Sequence, residues 1–291
     1  MDLIFHESAL HDVSTGEALS PEQRNLFARI IHNDNSRILL SAPVARRLQE
    51  VRDSLNSDAF DQLCKMLIDR GEIVETASDS QHPEASYLNL IKSSSSAITL
   101  VFASEWAPSD IENFAAICNM RKADRPSVHW TLAKLASVHP DPVHLTNSDF
   151  SADEDIRHLF STLLSLWKRK NDAVFIFDRF TNTEHDLLEG AKQFTRVHFF
   201  TKKLKKETDY EFGERVKKLK NKFKNAFVFT PHSRFDMHSR NVMIGDLVIS
   251  PDNDLINTTA GDEADWRLAI IVSPEEASRL TSISMKFRRV A

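Results

Sequence analysis

The sequence predicts two α/β domains with mainly parallel or mixed sheets flanked by helices. Short apolar runs such as RILLSAP, AITLVFAS and AVFIFDRF alternate along 291 residues with stretches whose apolar positions recur at helical spacing. That length corresponds to about two ordinary domains. Prolines, acids and small polar residues gather in HPDPVHLTNSDFSADED, 139–155, between two such series, which sets the domains at 1–140 and 150–291.

In the first domain LIFH, 3–6, is a short strand. Ser20 caps a helix whose first turn takes Pro21, with Leu26, Phe27, Ile30 and Ile31 on one face. RILLSAP, 37–43, is a buried strand. It leads into a helix from Pro43 to about Leu55 with Val44, Leu48, Val51 and Leu55 inward. Phe60, Leu63, Cys64, Leu67 and Ile68 mark another helix, stopped at Gly71. GEIVET and AITLVFAS, 97–104, are strands, the latter apolar enough for burial on both faces. The pattern from Asp110 to about Leu135 is mixed and helical, broken at Arg125-Pro126.

The second domain opens with an amphipathic helix, Ile156 to Trp167. AVFIFDRF, 173–180, is a strand ending at Asp178. A helix with Leu187, Leu188 and Ala191 leads to the strand RVHFFTKK, 196–203. Phe212, Val216, Leu219 and Phe223 then form the inner stripe of a basic helix. AFVFT, one or two strands within HSRFDMHSRNVMIGDLVIS, and WRLAIIVS, 266–273, follow.

Composition excludes several functions. The six glycines, at 16, 71, 190, 213, 245 and 261, are too dispersed for Walker or GxGxxG phosphate loops. Cys64 and Cys118 lie apart in apolar stretches and read as small core residues, which argues against structural zinc or a disulfide scaffold. No HxH, HExxH or GxSxG pattern occurs, so neither a metal site nor a serine hydrolase is specified, and no cofactor is implied. MDLIFHESAL lacks an export signal, and 18 uncharged apolar residues never occur in a row. A cytoplasmic protein with no membrane span is expected.

Net charge is -5, but Lys202 to Lys224 carries ten cations against four acids. That +6 stretch is either an electrostatic groove for a nucleic-acid backbone or a solvated helix face over its apolar stripe. His232, Arg234, Asp236, His238 and Arg240 alternate, so a strand there would gather five ionisable groups on one face. They would form a phosphate receptor or a solvated edge. Asp178, at a strand's end, either serves a site or caps the next turn with Thr181 and Asn182. His6-Glu7 occupies the equivalent place in the first domain, as a cap or surface pair.

From about 150 to 291 the order of signals resembles a degenerate, single-copy phospholipase D-like domain: VFIFDRF with Asp178 and Phe180, VHFFTKK, FVFT, then FDMHSRNVMIGDLVIS with His238 and Arg240. The resemblance implies His238 as nucleophile on phosphorus, Arg240 as phosphate clamp, Asp178 as a further catalytic residue, and a homodimer bringing two copies of His238 together. Phosphate binding falls to His232, Arg234, Lys202, Lys203, Lys205, Lys206, Lys217 and Lys218. Arg240 replaces the family's Lys, and the acid expected five residues later falls on Gly245, one before Asp246. The first domain bears a fainter likeness to PIN-like nucleases, which gather carboxylates around metal; the corresponding places are His6-Glu7 and Glu105, with Asp79 or Glu84 between. Together these imply a nuclease-like protein acting on DNA or RNA, in prokaryotic phage defence or mobile-element conflict with a partner protein of such a system. The alternative is an inactive binding or regulatory module for nucleic acid, anionic lipid or a partner protein.

Overall fold

A computed structural model describes residues 1–55, 57–76, 83–96, 98–106, 108, 115–124, 127–150, 152–168, 171–179, 181, 186–232, 240–252 and 266–290. The chain divides into two compact units, Met1–His139 and Pro140–Ala291, each built on its own sheet. Both are α/β.

In the first unit β1 (Asp2–Phe5), β2 (Arg37–Leu40), β3 (Gly71–Ile73), β4 (Thr99–Ala103) and β5 (Ala116–Asn119) run parallel in the order β3-β2-β1-β4-β5. The helices are α1 (Glu7–Thr15), α2 (Pro21–Ile31), α3 (Ala42–Leu55), α4 (Asp58–Arg70), α5 (Pro83–Ser93) and α6 (Val128–Val138). Every residue of β1 and β4 is buried, as expected of central parallel strands covered on both faces. Burying Asp2 requires a partner, and Arg37 meets its two oxygens at 2.9 and 3.0 Å while Ser94 donates to Oδ2 at 2.6 Å. Ser20 and Gln23 form a reciprocal capping box on α2. Strand order reverses between β1 and β4, so the loops leaving their carboxyl ends open a crevice.

The second unit holds β6 (Val143–Thr146), α7 (Asp153–Lys168), β7 (Ala173–Phe177), a 3₁₀ segment (Asp186–Gln193), β8 (Arg196–Phe200), α8 (Asp209–Lys222) and β9 (Ala226–Pro231). Then come β10 (Asn241–Ile244), β11 (Leu247–Pro251), β12 (Arg267–Val272), α9 (Pro274–Ser284) and β13 (Phe287–Arg289). Sheet order is β13-β9-β8-β7-β10-β11-β12-β6, with β7, β8 and β9 parallel and the other pairings antiparallel. One face carries Val174, Ile176, Val197, Phe199, Val228 and Val242. Phe223, just past α8, meets Phe199 on this face at 5.2 Å. The other face carries Phe177, Phe200, Met243, Val248 and Phe287, closed by Ala277 and Leu280 of α9.

Several elements differ from expectation. The region after Asp110 supplies β5, a strand too short to show a period. Val143–Thr146 lies within the stretch expected to connect the domains, yet it is an edge strand of the second sheet, paired with β12. The helix expected around Leu187 is 3₁₀. There Gly190 lets it approach α7 closely, since a Cβ would stand 2.9 Å from the Leu164 side chain. The sequence pattern did not announce α1, α9 or β13.

Candidate functional site

Three parallel strands of the second unit end side by side, and each delivers a polar residue there. Asp178 follows β7, Thr201 follows β8 and His232 follows β9. β10 runs the other way, and its first residue, Asn241, pairs with Phe177. That register brings Arg240 to the same end as Asp178. Backbone bonds fix the ends: Asp178 N–H donates to Phe200 O at 3.1 Å, Thr201 N–H to Phe229 O at 3.0 Å, and His232 N–H to Lys286 O at 3.0 Å.

Asp178 is fully buried, and its backbone carbonyl accepts from the Thr181 hydroxyl at 2.6 Å and from the Thr181 N–H at 3.2 Å. It therefore closes the turn after β7 through its main chain. Arg240 is half-buried and donates to Asp252 O at 3.1 Å. Asn241 is almost fully buried; its Oδ1 accepts from Ser250 at 2.6 Å, and its Nδ2 has no hydrogen-bond partner among the described residues.

The basic stretch divides into cations that hold the fold and cations that face solvent. Arg215 on α8 uses all five of its N–H donors. Two reach the Glu207 oxygens at 2.9 Å, and the rest reach Thr181 O and Thr201 Oγ1 at 3.0 Å and Lys202 O at 2.8 Å. The guanidinium holds the Glu207 carboxyl below the usual carboxylate range, against the upward push of desolvation. Lys203 pairs with Asp209 at 2.5 Å, Lys217 with Glu214 at 3.6 Å and Lys222 with Glu189 at 2.7 Å. Lys205, Lys206, Lys218, Lys220 and Lys224 are exposed.

The structure thus gathers Asp178, Arg240, His232, Lys202, Lys203, Lys205 and Lys206 at one sheet end. Lys217 and Lys218 are not part of that group, because they stand about 12 Å along α8 from its first residue. Arg234, Asp236 and His238 lie outside the described residues. His232 is a bend beyond β9, and Arg240 immediately precedes β10.

Asp246 serves the opposite end of the sheet. Gly245 and Asp246 form the two-residue turn between β10 and β11, where Gly245 has φ +56°. Trp167 Nε1–H donates to Asp246 Oδ1 at 3.0 Å, and Ser273 N–H to Asp246 O at 2.8 Å. Gly245 supplies the left-handed backbone of this turn, and Asp246 anchors it to Trp167 and Ser273. Sequence reasoning missed Arg215 as a keystone and Asn241 as a buried donor. Thr201 follows an apolar run just as Asp178 does, and that placement was the available signal.

In the first unit the acids of the β1/β4 crevice are held by arginines. Arg47 pairs with both Glu7 oxygens at 2.9 Å, and Arg121 meets Asp12 at 2.7 and 2.8 Å and also Glu105. Glu84 is exposed on α5, and Asp79 lies outside the described residues. Among the described residues no group of three or more His, Cys, Asp or Glu is placed to hold a metal. His6 caps α1, its Nδ1 accepting from Ser8 N–H at 3.2 Å, and its ring stacks on Trp106 at 4.8 Å. Desolvation lowers the imidazole pKa to about 4; Glu7 opposes this and Arg47 reinforces it. Cys64 and Cys118 are buried, with thiol pKa values pushed up by desolvation. No helix among the described residues is long and apolar enough to cross a membrane.

No protein-family model matches the sequence, and no curated protein matches it. Similar solved structures include NucT from Helicobacter pylori, 12% identical, covering 50% of this chain and 95% of that one with a TM-score of 0.36. Nuc from Salmonella typhimurium, a phospholipase D family member, is 13% identical over 51% of this chain and 98% of its own, at a TM-score of 0.37. Phosphatidylserine synthase from Haemophilus influenzae is 12% identical over 51% of this chain and 40% of its own, at 0.38.

Proposed function

We propose that the second unit receives a nucleic-acid phosphodiester at the shared end of β7, β8 and β9. The observation that carries this is the convergence there of Arg240, His232 and the Lys202–Lys206 loop, while the nearby acids Glu207 and Asp209 are already paired with Arg215 and Lys203. Cations in excess at the carboxyl ends of parallel strands form an anion receptor. Asn241 Nδ2 adds a buried donor.

In the hydrolytic version His238 attacks phosphorus, the P–O ester bond breaks, and the leaving oxygen takes a proton from His238 of a second copy of the chain. Water then cleaves the phosphohistidine. Arg240 clamps the phosphate, and Asp178 stands beside it. The test is cleavage of labelled single- and double-stranded DNA and RNA by the full chain and by His238→Ala, with mass measured in solution. Cleavage lost in the variant together with a dimeric mass supports the hydrolytic version. Binding without cleavage, unchanged by His238→Ala, assigns the unit to a binding or regulatory role. The bond already made by Arg240 to Asp252 O favours that second reading.

For the first unit, the reading is a degenerate PIN-like domain whose acids Glu7, Asp12 and Glu105 are paired with arginines. The role in phage defence, with a partner protein of such a system, rests on the paired sequence resemblances. Phage challenge of cells with and without the protein tests it.

A further inference from the structure

We infer that the β9–β13 edge of the second sheet is a docking ridge for a nucleic-acid strand, whose phosphates are met by Lys220, Lys224 and Arg288. This rests on the reading above and extends it to a surface that the sheet-end residues do not include.

The edge strand β13 pairs with β9 in the register Arg288↔Thr230 and Arg289↔Phe229. Alternation along the strands puts Arg288 on the face of Val228 and Thr230, and Arg289 on the opposite face with Phe229. There Arg289 lies over the Phe227 ring at 4.5 Å. The face of Arg288 is the one α8 covers, because Leu219 is buried on it and Phe223 meets Phe199.

The orientation of α8 then decides which lysines approach the edge. Lys222 reaches Glu189 in the 3₁₀ segment, which packs on α7. α7 in turn contacts β10, so this flank of α8 looks inward along the sheet, towards β7 and β10. Lys220, two residues earlier, lies about 160° around the helix and faces the β13 edge. Lys224 follows the helix end, next to the start of β9. Lys220, Lys224 and Arg288 are exposed, and none forms an ion pair among the described residues.

Cations on edge strands commonly prevent unwanted strand pairing. That role accounts for Arg288 but not for helix lysines turned towards the same edge. The ridge also has a direction. Lys220 and Lys224 stand at the amino end of β9. At its carboxyl end Lys286, whose carbonyl accepts from His232 N–H, adjoins the sheet-end residues. The run is about 20 Å long, the length of about six nucleotides of one strand at duplex spacing.

The test is fluorescence anisotropy of a labelled mixed-sequence oligonucleotide with the full chain, over a series of salt concentrations. Two variants are compared with wild type: the ridge variant Lys220→Gln/Lys224→Gln/Arg288→Gln and the sheet-end variant Lys205→Gln/Lys206→Gln. For a single strand the ridge variant is expected to flatten the log–log salt slope by about 2 and to weaken binding about tenfold. Restoring charge with Arg288→Lys should recover part of the loss. If wild type binds and the sheet-end variant weakens it while the ridge variant matches wild type, the ridge is refuted and the sheet-end site stands. If wild type binds no oligonucleotide, the sheet-end reading fails as well.

Discussion

Arg215 grips Glu207 with two bonds of 2.9 Å and spends its remaining donors on the loops that follow β7 and β8. One side chain of α8 thereby sets the spacing between the turn after Asp178 and the loop that carries Lys202 to Lys206. The side chains of Arg215 and Glu207 are 12% and 10% exposed, so the pair is well desolvated.

Arg215→Ala is expected to destabilise the second unit by about 3 kcal/mol, because it strands Glu207 and the loop carbonyls. Arg215→Lys should recover less than half of this, since an ammonium cannot span the same acceptors. Urea unfolding of both variants measures the difference.

His6 makes the stability of the first unit pH-dependent. Its folded pKa of about 4 lies below the ordinary 6.5, so the unfolded chain binds more protons between those values. Stability from this group is complete above pH 6.5 and is lost as pH falls towards 4, by about 3 kcal/mol in all. His6→Asn keeps a capping acceptor but cannot titrate there. Unfolding followed from pH 7 to pH 4 should show a shallower slope in the variant, and an unchanged slope would assign the effect to other groups.

At the β10–β11 turn, Gly245→Ala is expected to cost about 2 kcal/mol. An L-residue is strained at φ +56°, and its Cβ would stand 2.7 Å from Asn171 Oδ1. Asp246→Ala should cost about 1 kcal/mol by removing the acceptor of the Trp167 indole. Neither should alter oligonucleotide affinity, because this turn is at the far end of the sheet from Asp178. Loss of affinity in folded Asp246→Ala would contradict that separation.

Asn241→Ala separates binding from packing. Nδ2 has no partner among the described residues while Oδ1 accepts from Ser250, so the truncation should cost about 1 kcal/mol through the lost Ser250 bond. Oligonucleotide binding should weaken several-fold. Reduced stability with unchanged Kd would make Asn241 a packing residue.

What the sequence disclosed depended on how local each signal was. Apolar runs gave β2, β4, β7 and β8, and the spacing of Leu219 and Phe223 gave the inner face of α8, because burial writes its period directly into the chain. β5 was hidden because a four-residue edge strand is too short to show a period. β6 was hidden in a stretch whose prolines and acids resemble a linker. Asp178 was legible as a polar residue ending an apolar strand. The pairing of Arg215 with Glu207 depends on helix orientation and sheet order, which no local pattern encodes.

Titrating a labelled single-stranded oligonucleotide with the full chain across a salt series, beside Lys205→Gln/Lys206→Gln, tests whether the sheet end receives a phosphodiester strand. Binding is expected to weaken steadily as salt rises, with the variant's log–log slope shallower by about 1.4. Binding that ignores salt, or none at the lowest salt, would contradict that reading.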